Sequence, residues 1–99
     1  MSDFNVEFYE TSKGEIPVLT FMSGLDKKLQ AKTAMLISLL QDNGNELREP
    51  YSKHISEGIF ELRAQVGTNE SRILYFFYHG RNIILTNGFI KKTQKTPAK

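Results

Sequence analysis

Ninety-nine residues, 39% hydrophobic and 24% charged, suffice for one domain with a single modest core. No apolar run approaches the roughly 20 residues needed to cross a bilayer, and the absence of cysteine excludes disulfides, thiolate metal sites and a cysteine nucleophile. The net charge of +2 conceals a division: residues 1 to 49 carry five Lys/Arg against eight Asp/Glu (−3), and residues 50 to 99 carry eight against three (+5).

A basic half on so small a domain is the footprint expected of a phosphate-rich partner, although an acidic protein partner fits it too. The opening MSDFNVEF lacks a basic region followed by an apolar one. No secretory signal is visible, and a cytoplasmic address is expected.

In chain order, Phe4, Val6 and Phe8 alternate with Asn5, Glu7 and Tyr9, which predicts a first strand. TSKG is a turn, and residues 15 to 22 predict a short helix with Pro17 in its first turn, where a missing N–H costs little. Leu25, Leu29, Leu36 and Leu40 recur at helical spacing, with Thr33 and Ile37 widening the stripe and Lys27, Lys28 and Lys32 falling largely outside it. With Asp26 as N-cap and Asn43-Gly44 as stop, the second helix is expected over residues 26 to 42, joined to the first through Ser23-Gly24 as an αα-hairpin. Residues 43 to 58 have no sustained period and read as a connecting loop, with Lys53 and His54 as its candidate functional side chains.

From Ile59 onward, IFELRAQV, SRILYFFY and IILTNGFIKK are separated by the polar, glycine-bearing gaps GTNE and HGRN, the spacing of a β-meander. The expected fold is therefore α+β: a single domain over residues 1–99 with a mostly antiparallel four-stranded sheet and an N-terminal helical hairpin on one face. Symmetric turns would set Val66 opposite Ser71 and Tyr78 opposite Ile83. Phe60, Leu62, Ala64 and Val66 would then face the helices with Ile73, Tyr75, Phe77, Ile84, Thr86 and Gly88. Glu61, Arg63, Arg72, Phe76, Phe89 and Lys91 would share the opposite face, with Arg72 level with Gln65 and Phe89, provided no bulge intervenes. Cations gathered there suit an anion, and Phe76 and Phe89 suit stacked bases; the alternative is a pair of local ion pairs, Arg63–Glu61 and Arg72–Glu70. The seven glycines form no phosphate loop, and two histidines without metal-ligand spacing argue against a zinc site. No cofactor is expected, and the chemistry open to such a face is metal-free RNA cleavage, with cations fixing the phosphate that the 2′-OH attacks.

GIFELR followed by SRILYFFYHGRNIILTNGFIKKTQKTP resembles the C-terminal half of the HigB-like branch of the RelE/ParE toxin superfamily, found in bacterial and phage toxin–antitoxin modules. GFIKKTQKTP is the specific part; the first strand and helical pair fit the same fold. The resemblance implies a ribosome-dependent mRNA endonuclease acting in the A site and neutralised by an antitoxin with a helix-turn-helix domain. It implies a phosphate-contacting role for Arg72, a basic role for Lys91 or Lys92, and a supporting role for Arg63. Lys53 and Lys95 are expected to bind RNA. The chain departs from RelE in carrying Ile59 and Glu61 where RelE has lysines, and in lacking its terminal tyrosine, which leaves Glu61, His54 and Lys92 as contenders for the general base. HigB-like chains usually continue past KTP, whereas this one stops at Lys99. ParE-type relatives share the fold but inhibit gyrase, so a non-enzymatic binding toxin and a plain interaction module stay open.

Overall fold

The computed structural model describes residues 4–92. The elements are β1 (Asn5–Phe8), α1 (Pro17–Ser23), α2 (Lys27–Asn43), a 3₁₀ turn (Gly44–Glu46), β2 (Ser52–Ser56), β3 (Ile59–Val66), β4 (Asn69–Tyr78) and β5 (Asn82–Lys92). They form an α+β fold with one five-stranded mixed sheet, ordered β1-β5-β4-β3-β2. The expectation of a mostly antiparallel four-stranded sheet is corrected in its strand count, because β2 pairs antiparallel with β3 inside the stretch read as a loop; β1 runs parallel to β5 and the other pairings are antiparallel.

The helices form where caps and periodicity place them. Pro17 opens α1. Asp26 accepts the Leu29 N–H at 2.9 Å as the N-cap of α2. Gly44 ends α2 at φ +54°, and a Cβ there would fall 2.1 Å from the Phe4 ring, so both conformation and space require glycine. Leu29, Thr33, Leu36 and Leu40 are the buried face of α2, as the stripe implied. The helical hairpin is corrected in detail: α1 lies chiefly on β5 and α2 chiefly on β3, and the helices touch each other less than either touches the sheet.

Below the helices the core gathers Leu62 and Ala64 of β3, Ile73 and Tyr75 of β4, and Ile83 and Leu85 of β5. Two hydroxyl pairs lie within it. Thr33 Oγ1 and Ser71 Oγ are 2.7 Å apart, tying α2 to β4. Ser52 Oγ bonds the Tyr75 hydroxyl, tying the edge strand β2 to β4.

Both hairpin registers depart from the symmetric expectation. Gly67 and Thr68 alone make the first turn, with Gly67 at φ +63°, so Val66 pairs with Asn69 and Arg63 stands opposite Arg72. Because the displacement is two residues, the faces of β3 and β4 are kept. In the second hairpin Tyr78 pairs with Asn82, and the frame is restored by a bulge: Tyr75 pairs with Leu85 but Leu74 with Asn87, leaving Thr86 extra. The Thr86 hydroxyl donates to the Leu74 carbonyl at 3.2 Å. Near the turn the bulge inverts the expected faces, so Ile83 and Leu85 are buried while Ile84 lies on the helix-free side opposite Phe76. Beyond it, Phe89 pairs with Arg72 as expected.

Thr33→Val should cost about 1–3 kcal/mol by leaving the buried Ser71 hydroxyl without its partner, whereas the Thr33→Val/Ser71→Ala double variant should recover most of that loss. Urea unfolding of the singles and the double checks it. Burial pushes the Tyr75 phenol above its usual 10.0, outweighing the Ser52 hydrogen bond, which lowers it. A raised folded-state value means the unfolded chain releases this proton first, so the stability it contributes is full below about pH 10 and lost as pH rises through the folded value. Tyr75→Phe should accordingly flatten the alkaline limb of the stability–pH curve, measured by denaturation at pH values spanning that range.

Candidate nucleic-acid interface

Side-chain alternation puts three rows of residues across the helix-free face. Lys53, Glu61, Leu74 and Asn87 form the first, Arg63, Arg72 and Phe89 the second, and Gln65, Glu70 and Lys91 the third. Four cations stand there against two carboxylates. Both ion pairs of the local alternative are present: Arg63 holds Glu61 Oε1 through Nε and Nη2, each at 2.9 Å, and Arg72 holds Glu70 Oε1 through Nε and Nη2, each at 2.8 Å. Arg72 Nη1 also reaches Glu61 Oε1 at 3.4 Å, so one oxygen is shared by both arginines.

Glu61 is buried at 4% exposure, although it belongs to the face without helices. The cover comes from its neighbours in the sheet, with Lys53 and Leu74 opposite it on either side and both guanidiniums leaning over it. A carboxylate so enclosed is tolerable because it is paired and hydrogen-bonded. Each guanidinium has five N–H donors, more than these carboxylate contacts use, so the pair can still present planar donors to a phosphate.

The remaining candidates divide by face. Phe89 is 40% exposed beside Arg72, and Phe76 is half-buried toward the other end of the same face. Lys91 is exposed opposite Glu70, one diagonal step from Arg72. Lys92, in contrast, pairs with Asn69 and alternates onto the helix side. His54 also leaves the group: it pairs with Phe60 on the core-facing side, its ring centroid 5.1 Å from that of Phe60. Lys95 lies outside the described residues. Glu70, which the sequence offered only as a local partner of Arg72, is a full member of the cluster.

Replacing Glu61 with Gln should leave two guanidiniums facing each other without the shared anion, at a cost of about 1–3 kcal/mol. The loss should be larger in low salt than in high salt, because the uncovered repulsion is partly exposed and therefore screened. Urea titrations at two ionic strengths read both effects.

A family model described as phage-derived protein Gp49-like matches residues 20–99, from within α1 through all of α2 and β2 to β5. No curated protein sequence matches the chain. Since that match takes in all of α2, four of the strands and every residue of the charged face named above, the chain belongs to the Gp49-like family of phage-derived proteins.

Proposed function

We propose that this protein is the toxin of a type II toxin–antitoxin module, a ribosome-dependent mRNA endonuclease whose working surface is the helix-free face. The observation that carries the reading is the arginine pair: Arg63 and Arg72 stand directly opposite on neighbouring strands, with Lys91 a diagonal step beyond. Two guanidiniums held side by side match the oxygens of a phosphodiester and the charge that grows on them as phosphorus becomes five-coordinate. Family membership and the resemblance to HigB-like toxins support the same reading.

In this mechanism the ribose 2′-OH attacks the adjacent phosphorus and gives its proton to solvent water, the 5′ oxygen of the next nucleotide leaves with a proton, and a 2′,3′-cyclic phosphate and a 5′-hydroxyl result. Arg72 holds the scissile phosphate and Arg63 supports it. Lys91, on the same face, carries the proton that the departing oxygen takes. Of the three contenders for the general base, His54 and Lys92 belong to the other side of the sheet. Glu61 is on the right side, but it is buried beneath the arginines and its Oε1 is engaged by both. We therefore give Glu61 the task of positioning the guanidiniums, so that catalysis rests on orientation and charge stabilisation. Translated mRNA in the ribosomal A site is the substrate, and an antitoxin with a helix-turn-helix domain is the partner.

One observation favours a second reading. Ile84 and Phe76 stand opposite each other on the working face, Leu74 lies a row away, and Phe89 is exposed beside Arg72. An apolar band beside arginines already paired with carboxylates also suits a protein partner, as a gyrase-inhibiting toxin or an interaction module requires.

Induced expression followed by primer-extension mapping of transcript 5′ ends should give codon-phased cuts. Arg72→Ala should lower cleavage on the ribosome about 10²- to 10³-fold, Lys91→Ala should lower it less, and Lys92→Ala should stay near the parent. Intact mRNA alongside double-strand DNA breaks would sink the endonuclease reading in favour of the second.

A further inference from the structure

The outer edge of β3 is covered by β2 only as far as Leu62. One further bond, from the Arg63 N–H to the Tyr51 carbonyl at 2.8 Å, closes the junction. Past it, Lys32 of α2 reaches the strand, and its ammonium donates to the Gln65 carbonyl at 2.8 Å. Lys32, Pro50, Tyr51, Arg63, Gln65 and Glu70 line a pocket of about 120 Å³ at this point. It opens beside the charged face through Arg63 and Glu70 and meets the helical layer through Lys32. On α2, Lys32 sits one turn beyond Lys28, on the same side of the helix.

The chemistry of this lining is mixed in a particular way. Tyr51, 42% exposed as a residue, offers an aromatic ring. Its position is fixed by a turn in which the N–H groups of Tyr51 and Ser52 both donate to the Arg48 carbonyl. Lys32 supplies a point cation and Arg63 a planar one. Glu70 and the Gln65 amide supply acceptors. An acidic peptide would answer the two cations but would leave the aromatic platform unused. A nucleotide uses all of them, because it carries an anion, a flat π-face, and hydroxyl and amino groups that donate hydrogen bonds.

We propose that this edge pocket is a nucleotide subsite of single-stranded RNA. One base stacks on Tyr51 and the adjoining phosphate meets Lys32, so the strand leaves the arginine pair by crossing the β3 edge toward α2. The inference rests on the RNA-cleaving reading above and gives that site a second, adjacent position where the neighbouring nucleotide is held.

A fluorescein-labelled single-stranded RNA oligonucleotide of mixed sequence, followed by anisotropy, tests it together with amide shifts of the ¹⁵N-labelled protein titrated with the unlabelled strand. Tyr51→Ala should weaken binding about tenfold while Tyr51→Phe stays near the parent, since stacking needs the ring and not the hydroxyl. Lys32→Gln should weaken binding and reduce the slope of log affinity against log salt by about 0.7, the loss of one phosphate contact. Amides of Lys32, Tyr51 and Gln65 should shift along with those of Arg63 and Arg72. Superimposable thermal melts establish that the variants fold. If Arg72→Ala loses binding but Tyr51→Ala does not, and the edge amides stay still, the subsite is wrong and the RNA reading stands. If polyglutamate displaces the RNA as readily as unlabelled RNA does, the pocket is a general anion site and the subsite is overturned. If the parent protein binds no RNA, alone or on ribosomes, and cuts none, the proposed function fails and this inference with it.

Discussion

Two guanidiniums face each other across β3 and β4, and a single carboxylate oxygen of Glu61 lies within reach of both. Opposed like charges in an antiparallel pair are unfavourable by about 0.2–1 kcal/mol, and a buried carboxylate without a cation is worse. Each problem is the other's remedy, so the three side chains are stable only together. Their agreement also fixes strand alignment. A slip of two residues would keep every face but would set Arg72 against Gln65 and part it from Glu61. The two-residue Gly67–Thr68 turn selects the same alignment from the outside. From that frame follow the positions of Lys53, Glu70 and Lys91, and hence the shape of the charged surface.

What could be read in the sequence was whatever the interior imposes on its neighbours. The stripe on α2 was legible because Leu29, Thr33, Leu36 and Leu40 each touch the core, and its ends were legible because Asp26 caps one and Gly44 stops the other. The three long strands were legible for the same reason. The edge strand β2 was not: Ser52 is its one buried residue, so SKHIS carries no alternation of polarity. A short, polar, lysine-bearing edge is how sheets resist pairing with other chains, and it has the look of a loop for that reason. Registers were illegible in a different way. Their symmetric assignment assumed turns centred in the gaps, and the first turn sits at the beginning of its gap instead.

The charged face was legible as a set and not in its electrostatics. Arg63, Arg72, Phe89 and Lys91 do come together, because a two-residue error in one hairpin preserves parity and the bulge corrects the other before Phe89 is reached. The ion-pair alternative is what the arginines adopt, and it leaves them anchored and oriented by Glu61 and Glu70 rather than mobile on the surface. Adjacent lysines in the KK of the last strand cannot both belong to one face. Resemblance alone offered either; strand alternation puts Lys91 on the face of the arginines. His54 looked available in a loop and is instead beside Phe60 at the sheet's edge.

The bulge at Thr86 divides β5 into two segments of opposite phase. Toward the turn, Ile83 and Leu85 point into the core; toward the end, Phe89 and Lys91 point away from it. Without the extra residue one of these sets would be misdirected, since a strict two-residue period cannot serve both. Thr86 therefore works as a joint between a half of the strand answerable to packing and a half answerable to the surface. A substitution or a paired insertion and deletion beyond it can re-aim the cationic end while Ile83 and Leu85 keep their places, so the surface that meets a partner can diversify on a core that does not have to change with it.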